Sequence, residues 1–519
     1  MTSGAPSRCS NVCALDAVAN RTLLAGGVVV DGAGAPLFRA DVLIEGGIIA
    51  GVGSFEAPPD ARRIDCSSLT VSPGFIDCHC HSDLQALEDR KEKIRQGVTT
   101  EIVGNCGFSA FPCGEDPGEL HQFANGIFCG GASWGWRTAR GYSEAAMRGR
   151  GNVSVFSLVG HGTLRIWRAG LRQGPLESRD VDAMERRLAE DLCEGAAGFS
   201  TGLMYAPGSS APFEELERLC RVAARHGKIY ATHMRNYFGR VLESLDEQIE
   251  LARRTGCRLQ ISHLQVAGRR HWSLKQRAIE RVEQARAAGI DVAFDCYPYL
   301  AGSTVLSQIL PQWALEGGTE RLLARLSDAE TRGRIVRETL AGLVWDWTDI
   351  YISAVQSEAN QSLVGMNIAE AAGTRGREPV ETVMDLLAEE GGAVNMISFN
   401  QSEENLRRAL AHPLSLIASD GFYVRGRPHP RLCGTFPRFL GYYVREQGLL
   451  PLEQAVEKIT GAPARRFGLS DRGRIAPGLR ADVVVFDAAS IASKADYRDP
   501  EAPPDGIRHV FRGGAAAAL

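Results

Sequence analysis

Lysine is scarce in this chain: Lys91, Lys93, Lys228, Lys275, Lys458 and Lys494 are its only six, among 58 basic residues. Neither sign of charge dominates. The 62 acidic residues leave a net charge of -4, which gives no electrostatic basis for a nucleic-acid or membrane-surface partner. No apolar run reaches the ~18 residues of a membrane span. Residues 1–20 lack the basic start and apolar stretch of a signal peptide and read as a flexible tail. The 13 cysteines, odd in number and scattered, argue against a disulfide framework and for a reducing cytoplasm.

What is present is an ordinary globular composition, 44% hydrophobic and 23% charged over 519 residues, enough for two or three domains. Leu23–Val30 and Asp41–Val52 are short apolar runs broken by glycines such as Gly46-Gly47, and Ala481–Phe486 repeats that style near the other end. The two ends, 21–70 and 468–519, therefore read as one small β domain. Between them, in 71–467, apolar runs ending near His79, Asn105, Val159, Gly202, His233, His263, Tyr297 and Asp420 alternate with helical stretches such as Phe213–His226 and Leu242–Thr255. That alternation predicts parallel strands closing into a (β/α)-barrel. Two further strand candidates, Ile350–Val355 and Asn395–Phe399, leave the count open. The stretch 303–392 is too long for a simple crossover and reads as an insertion.

The strongest local signal is Pro73-Gly74-Phe75-Ile76-Asp77-Cys78-His79-Cys80-His81. Residues two apart on a strand share a face, so His79 and His81 can reach one metal. His233, His263 and Asp420 each follow an apolar run, at the strand ends where barrel enzymes place their chemistry. Imidazole and carboxylate donors suit zinc and leave a position open for water.

This ordered set, with its split β ends, resembles the amidohydrolase superfamily, which implies an α/β (β/α)8 TIM-like barrel with a small β-sandwich domain built from both termini. Many members bridge two metals with a carboxylated lysine on the fourth strand. None of the six lysines lies at the end of the expected fourth strand, Ala197–Gly202; Lys228 starts its strand. Cys106, in Gly104-Asn105-Cys106-Gly107 after the expected second strand Thr99–Val103, offers a thiolate instead.

That context, with His429-Pro430-Arg431-Leu432 and Gly434-Thr435-Phe436-Pro437-Arg438, resembles the D-aminoacylase (N-acyl-D-amino-acid deacylase) branch over nearly the whole chain from Arg21. The resemblance implies a tight zinc at Cys106, His233 and His263. It implies a second, weaker site at His79, His81 and Asp420, with Cys106 shared. It implies Asp420 as the proton shuttle, and Tyr205, Tyr297, Ser303 and Arg431 as the grip on the substrate's α-carboxylate. Where members usually carry a lysine two residues after the sixth-strand histidine, this chain has Gln265.

The expected activity is hydrolysis of a linear amide, deacylating an N-acyl-D-amino acid, a small-molecule substrate. Cys296–Glu320 contains Leu300, Val305, Leu306, Ile309, Leu310 and Trp313 but no Lys or Arg, and is expected to line the pocket. Deacylases of the family that prefer acidic side chains need a cation there, so an apolar side chain is expected. Two alternatives stay open: a cyclic-amide hydrolase of hydantoinase or dihydroorotase type, and a non-catalytic barrel used as a binding module.

Overall fold

The computed structural model describes residues 21–56, 58–129 and 134–519; the expected tail, 1–20, lies outside the described residues. Eight strands pair in unbroken chain order: β1 Phe75–Asp77, β2 Val98–Val103, β3 Ser154–Gly160, β4 Gly198–Gly202, β5 Ile229–His233, β6 Arg258–Ile261, β7 Val292–Cys296 and β8 Ser415–Ile417. Every pairing is parallel. The ring closes past the last strand, where Cys80 bridges Gly421, the Asp420 amide donates to the His79 carbonyl at 2.7 Å and the His81 amide donates to the Gly421 carbonyl at 2.9 Å. The fold is thus an α/β barrel of the expected kind.

The strands are buried on both faces, as continuous apolar runs require once helices cover a parallel sheet. The helix Phe213–Arg225 shows the covering logic. Glu214 and Glu215 occupy its positive first turn, and Leu216, Leu219, Cys220, Val222 and Ala223 form the stripe it buries.

A second eight-stranded sheet is built from both ends of the chain. Val483–Phe486 runs antiparallel to Thr70–Pro73, and Thr22–Val29 pairs with Phe38–Glu45, Arg62–Asp65 and Thr70–Pro73. It has its own apolar core, including Leu24, Val29, Val42, Ile44, Val483 and Phe511.

Between β7 and β8 lies the longest excursion. It contains a three-stranded antiparallel sheet of Ala301–Val305, Ile350–Ala354 and Asn395–Phe399. The two strand candidates that left the barrel count open belong here. Leu306, Ile309 and Leu310 are buried in the core of this excursion, and Trp313 packs against it. Leu300 packs against the barrel core. The expected segment Cys296–Glu320 does line the substrate pocket, through Tyr297, Gly302, Ser303, Thr304 and Gln308, whereas Leu300, Leu306, Ile309, Leu310 and Trp313 are not part of that lining; Val305 is treated with the cavities below.

Candidate metal centre and substrate pocket

The predicted donors converge at the C-terminal mouth of the barrel. Cys106 Sγ lies 3.3 Å from His79 Nε2 and 3.6 Å from His263 Nε2. Both His79 Nε2 and His81 Nε2 lie 3.3 Å from Asp420 Oδ1. His79, Cys106, His263 and Asp420 each offer a ligand atom within 4.8 Å of the others, all four buried. His233, the last residue of β5, stands with its ring 4.6 Å from that of His263. The tightest group thus draws from both of the ligand sets expected from sequence, with Cys106 between them. His79 and His81 lie beyond β1 rather than on it, and still aim at one oxygen.

Backbone conformation marks the same residues. Among the described residues, only three non-glycines have φ in the left-handed region: Cys106 (52°), His263 (34°) and Asp420 (49°). L-residues pay for this conformation, and such strain is held by surrounding structure at sites of function. Glycines make room for Cys106. Gly104 and Gly107 have φ of 76° and 78°, and a Cβ at Gly202, the end of β4, would collide with the Cys106 carbonyl. The end of β4 thus has no room for a side chain at Gly202 beside the backbone that carries the thiol.

Asp295, which sequence reasoning did not single out, aligns the donors from below. Its Oδ1 lies 3.0 Å from His79 Nδ1 and accepts the His263 amide at 2.7 Å, while Gln260 Nε2 donates to Oδ2 at 3.0 Å. Holding Nδ1 leaves His79 Nε2 facing the cluster, as metal-binding histidines are usually oriented. The only sequence signal was an acid inside an otherwise apolar strand.

The donor set fits a cation. Neither ring nitrogen of buried His233 has a partner among the described residues, and the Nδ1 atoms of His81 and His263 are also unpaired. Buried polar atoms of this kind are costly unless something binds them. Burial pushes the Cys106 thiol up to about 11 and lowers His263 to about 4. A neutral imidazole is ready to donate its lone pair, and a cation would stabilise the thiolate that burial disfavours. Asp420 is held well below the usual carboxylate range: burial opposes its ionisation, but the Arg431 guanidinium, His79 and His81 overcome that penalty.

The predicted substrate residues gather beside the cluster. Arg431, fully buried, approaches Asp420 Oδ2 at 2.9 Å without hydrogen-bond alignment at Nη1, and lies 4.7 Å above the Tyr297 ring. Tyr297 donates its hydroxyl to Gln265 Oε1 at 3.1 Å. Ser303 lines the same cavity, but its hydroxyl donates to the Met396 carbonyl at 3.0 Å. Tyr205 stacks obliquely on His233 at 4.9 Å, with its hydroxyl 3.2 Å from that of Thr304. The remaining wall is largely apolar, including Phe108, Met204, Phe238, Trp345, Met396 and Phe422, and among the described residues Arg431 is the one Lys or Arg in the lining.

The sequence profile described as "Amidohydrolase family" matches residues 62–517. An N-acyl-D-glutamate deacylase of Alcaligenes xylosoxydans xylosoxydans is 38% identical over 95% of this chain and 93% of its own length. A D-aminoacylase of the same organism is 36% identical, with the same coverage. The crystal structure of N-acyl-D-glutamate deacylase from Bordetella bronchiseptica, complexed with zinc and a phosphonate mimic of the tetrahedral intermediate, superposes with a TM-score of 0.82. It is 34% identical and covers 96% of both chains.

Proposed function

The chain belongs to the amidohydrolase family, and from that premise we infer that it is a zinc-dependent hydrolase of linear amides that deacylates N-acyl-D-amino acids. The observation that carries the reading is a buried thiol between histidines at the barrel mouth, beside a histidine with both nitrogens unpartnered among the described residues. The cyclic-amide alternative is disfavoured, because the relatives reported above are named as deacylases and β4 carries no lysine. A donor set this complete also argues against a non-catalytic barrel.

Cys106, His233 and His263 would hold a tight zinc. His79, His81 and Asp420, sharing Cys106, would hold a weaker second ion. The chemistry that zinc supplies when bound is Lewis acidity toward the amide carbonyl and toward an attacking water. Asp420 carries the proton. Its carboxylate, kept ionised beside Arg431, accepts a proton from water as the carbon–oxygen bond forms. It returns that proton to the leaving nitrogen as the carbon–nitrogen bond breaks. The products are a carboxylate and a free amine, and Asp420 ends ionised as it began. Arg431, Tyr297 and Gln265 form one wall where the α-carboxylate would sit, and the aromatic wall opposite excludes bulk water.

The side chain accepted is apolar. Relatives at 38% and 36% identity do not separate acidic from general substrates, and the lining supports the apolar reading. Arg431, its lone guanidinium among the described residues, is taken up by the α-carboxylate. A second substrate carboxylate would be buried unpaired, at a cost of several kcal/mol. N-acetyl-D-leucine is therefore expected to give a higher kcat/KM than N-acetyl-D-glutamate, and the reverse order would overturn this part of the reading. The cytoplasm is the proposed compartment, supported by the 11 free cysteines among the described residues.

A further inference from the structure

A second cavity, of about 130 Å³, adjoins the substrate pocket. Phe108, Ile127, Tyr205 and Gln308 line both spaces and so form the wall between them. Beyond that wall the polar lining consists of the amides Gln122, Asn125 and Gln173 and the hydroxyls Ser307 and Thr319; no ionisable acid or base lines it among the described residues. Val305 and Leu315, apolar residues of the expected loop, line this cavity and not the metal-side pocket. The two sides of the cavity are tied together: Asn395 Nδ2, from the excursion after β7, donates to the Gly126 carbonyl at 2.6 Å, next to the shared Ile127.

Gln308 Oε1 is buried at the shared wall and has no donor among the described residues. An amide oxygen in that position calls for an N–H. The carboxylate wall of Arg431, Tyr297 and Gln265 belongs to the metal-side pocket alone, while Phe108 and Tyr205 stand on the side of His81 and His233. A substrate with its α-carboxylate at Arg431 and its scissile carbonyl at the cluster would send its acyl chain toward this opposite wall.

Resting on the deacylase reading above, we propose that this second cavity is an acyl-group subsite. It takes an extended, uncharged acyl chain containing an amide N–H, such as an N-acylated aminoacyl group, and Gln308 accepts that N–H. Its volume accommodates a chain of several heavy atoms, and its lining of neutral donors and acceptors suits a peptide-like unit rather than a charged one.

The test compares three substrates: N-acetyl-D-leucine, N-acetylglycyl-D-leucine and N-(4-oxopentanoyl)-D-leucine. The last two differ only in NH against CH2. The wild-type enzyme is expected to prefer N-acetylglycyl over 4-oxopentanoyl by about three- to tenfold in kcat/KM, the usual range for one neutral hydrogen bond. Gln308→Met is expected to erase that ratio. Thr319→Phe, which fills the cavity from outside the shared wall, is expected to depress both long acyl substrates and leave N-acetyl-D-leucine unchanged. Equal use of the two long substrates by wild type, or a Thr319→Phe loss that is the same for acetyl and long acyl groups, would overturn the subsite. So would a Thr319→Phe loss that follows the size of the amino-acid side chain. No turnover of any of the three by wild type would instead overturn the deacylase reading, and the subsite with it.

Discussion

Asp77, Glu101 and Lys93 form one buried polar cluster of the barrel; His79, His81, Cys106, His233, His263 and Asp420 form another, and the two meet at Ser419–Asp420. In the first, Lys93 Nζ lies 2.5 Å from Asp77 Oδ2 and 3.5 Å from Glu101 Oε1. Ser82 donates to Glu101 at 2.6 Å, Ser419 donates to Asp77 at 2.5 Å, and Lys93 donates to Ser419 at 2.7 Å. Among the described residues, no buried side-chain oxygen or nitrogen of that group lacks a partner. In the second cluster, four ring nitrogens are unpaired and three residues bear left-handed backbone. Both groups bring together carboxylates with a thiol or histidines near enough to hold an ion. What separates them is whether the chain supplies its own cation. The first has a lysine shared between its two carboxylates and is complete; the second is complete only with a guest.

The comparison can be broken at Asp420. Asp420→Asn is expected to retain zinc and fold but lose roughly 10²–10⁴-fold in kcat, the scale of a general acid–base group. Near-normal turnover would remove Asp420 from proton transfer. The first cluster should respond in stability instead. Lys93→Met leaves two carboxylates buried without their cation, at a cost of about 3–5 kcal/mol in urea unfolding, with zinc content intact. Unfolding at wild-type denaturant concentrations would show that the cluster's charges do not hold it together. The smallest effect concerns the carboxylate wall. Arg431 is shared with Asp420, so Gln265→Lys supplies the wall with a free cation. KM for N-acyl amino acids with a free carboxylate should fall by about tenfold. An unchanged or higher KM would mean that position 265 does not face that group.

The sequence made the barrel and its donors readable because the strands that carry donors are apolar runs followed by a distinct polar residue. His233, His263 and Asp420 stand out against Ile229–Thr232, Leu259–Ser262 and Leu416–Ser419. The excursion was harder to read. Ile350–Ala354 and Asn395–Phe399 are as apolar as barrel strands, and their antiparallel pairing with Ala301–Val305 comes from tertiary contacts that residue periodicity does not encode. For the same reason Leu306, Ile309 and Leu310 could not be assigned to the excursion's core rather than to the pocket. The left-handed φ of Cys106 has no signature in residue type, and those of His263 and Asp420 have only the weak one that His and Asp visit this region more often than most residues. Asp295 and Lys93 were hidden differently: the partner of Asp295, His79, lies 216 positions away along the chain, and Lys93 stands among the other charges of 88–95, from which nothing in the sequence singles it out.

The central claim is that the unpaired nitrogens and the buried thiol are reserved for zinc, and the most direct measurement is the metal content of the purified protein. Elemental analysis should find at least one zinc per chain in the wild type, and none above background in either Cys106→Ala or His233→Ala, each of which removes one donor of the tight site. A wild-type enzyme that turns over substrate without metal, or a Cys106→Ala protein that remains fully loaded, would contradict it.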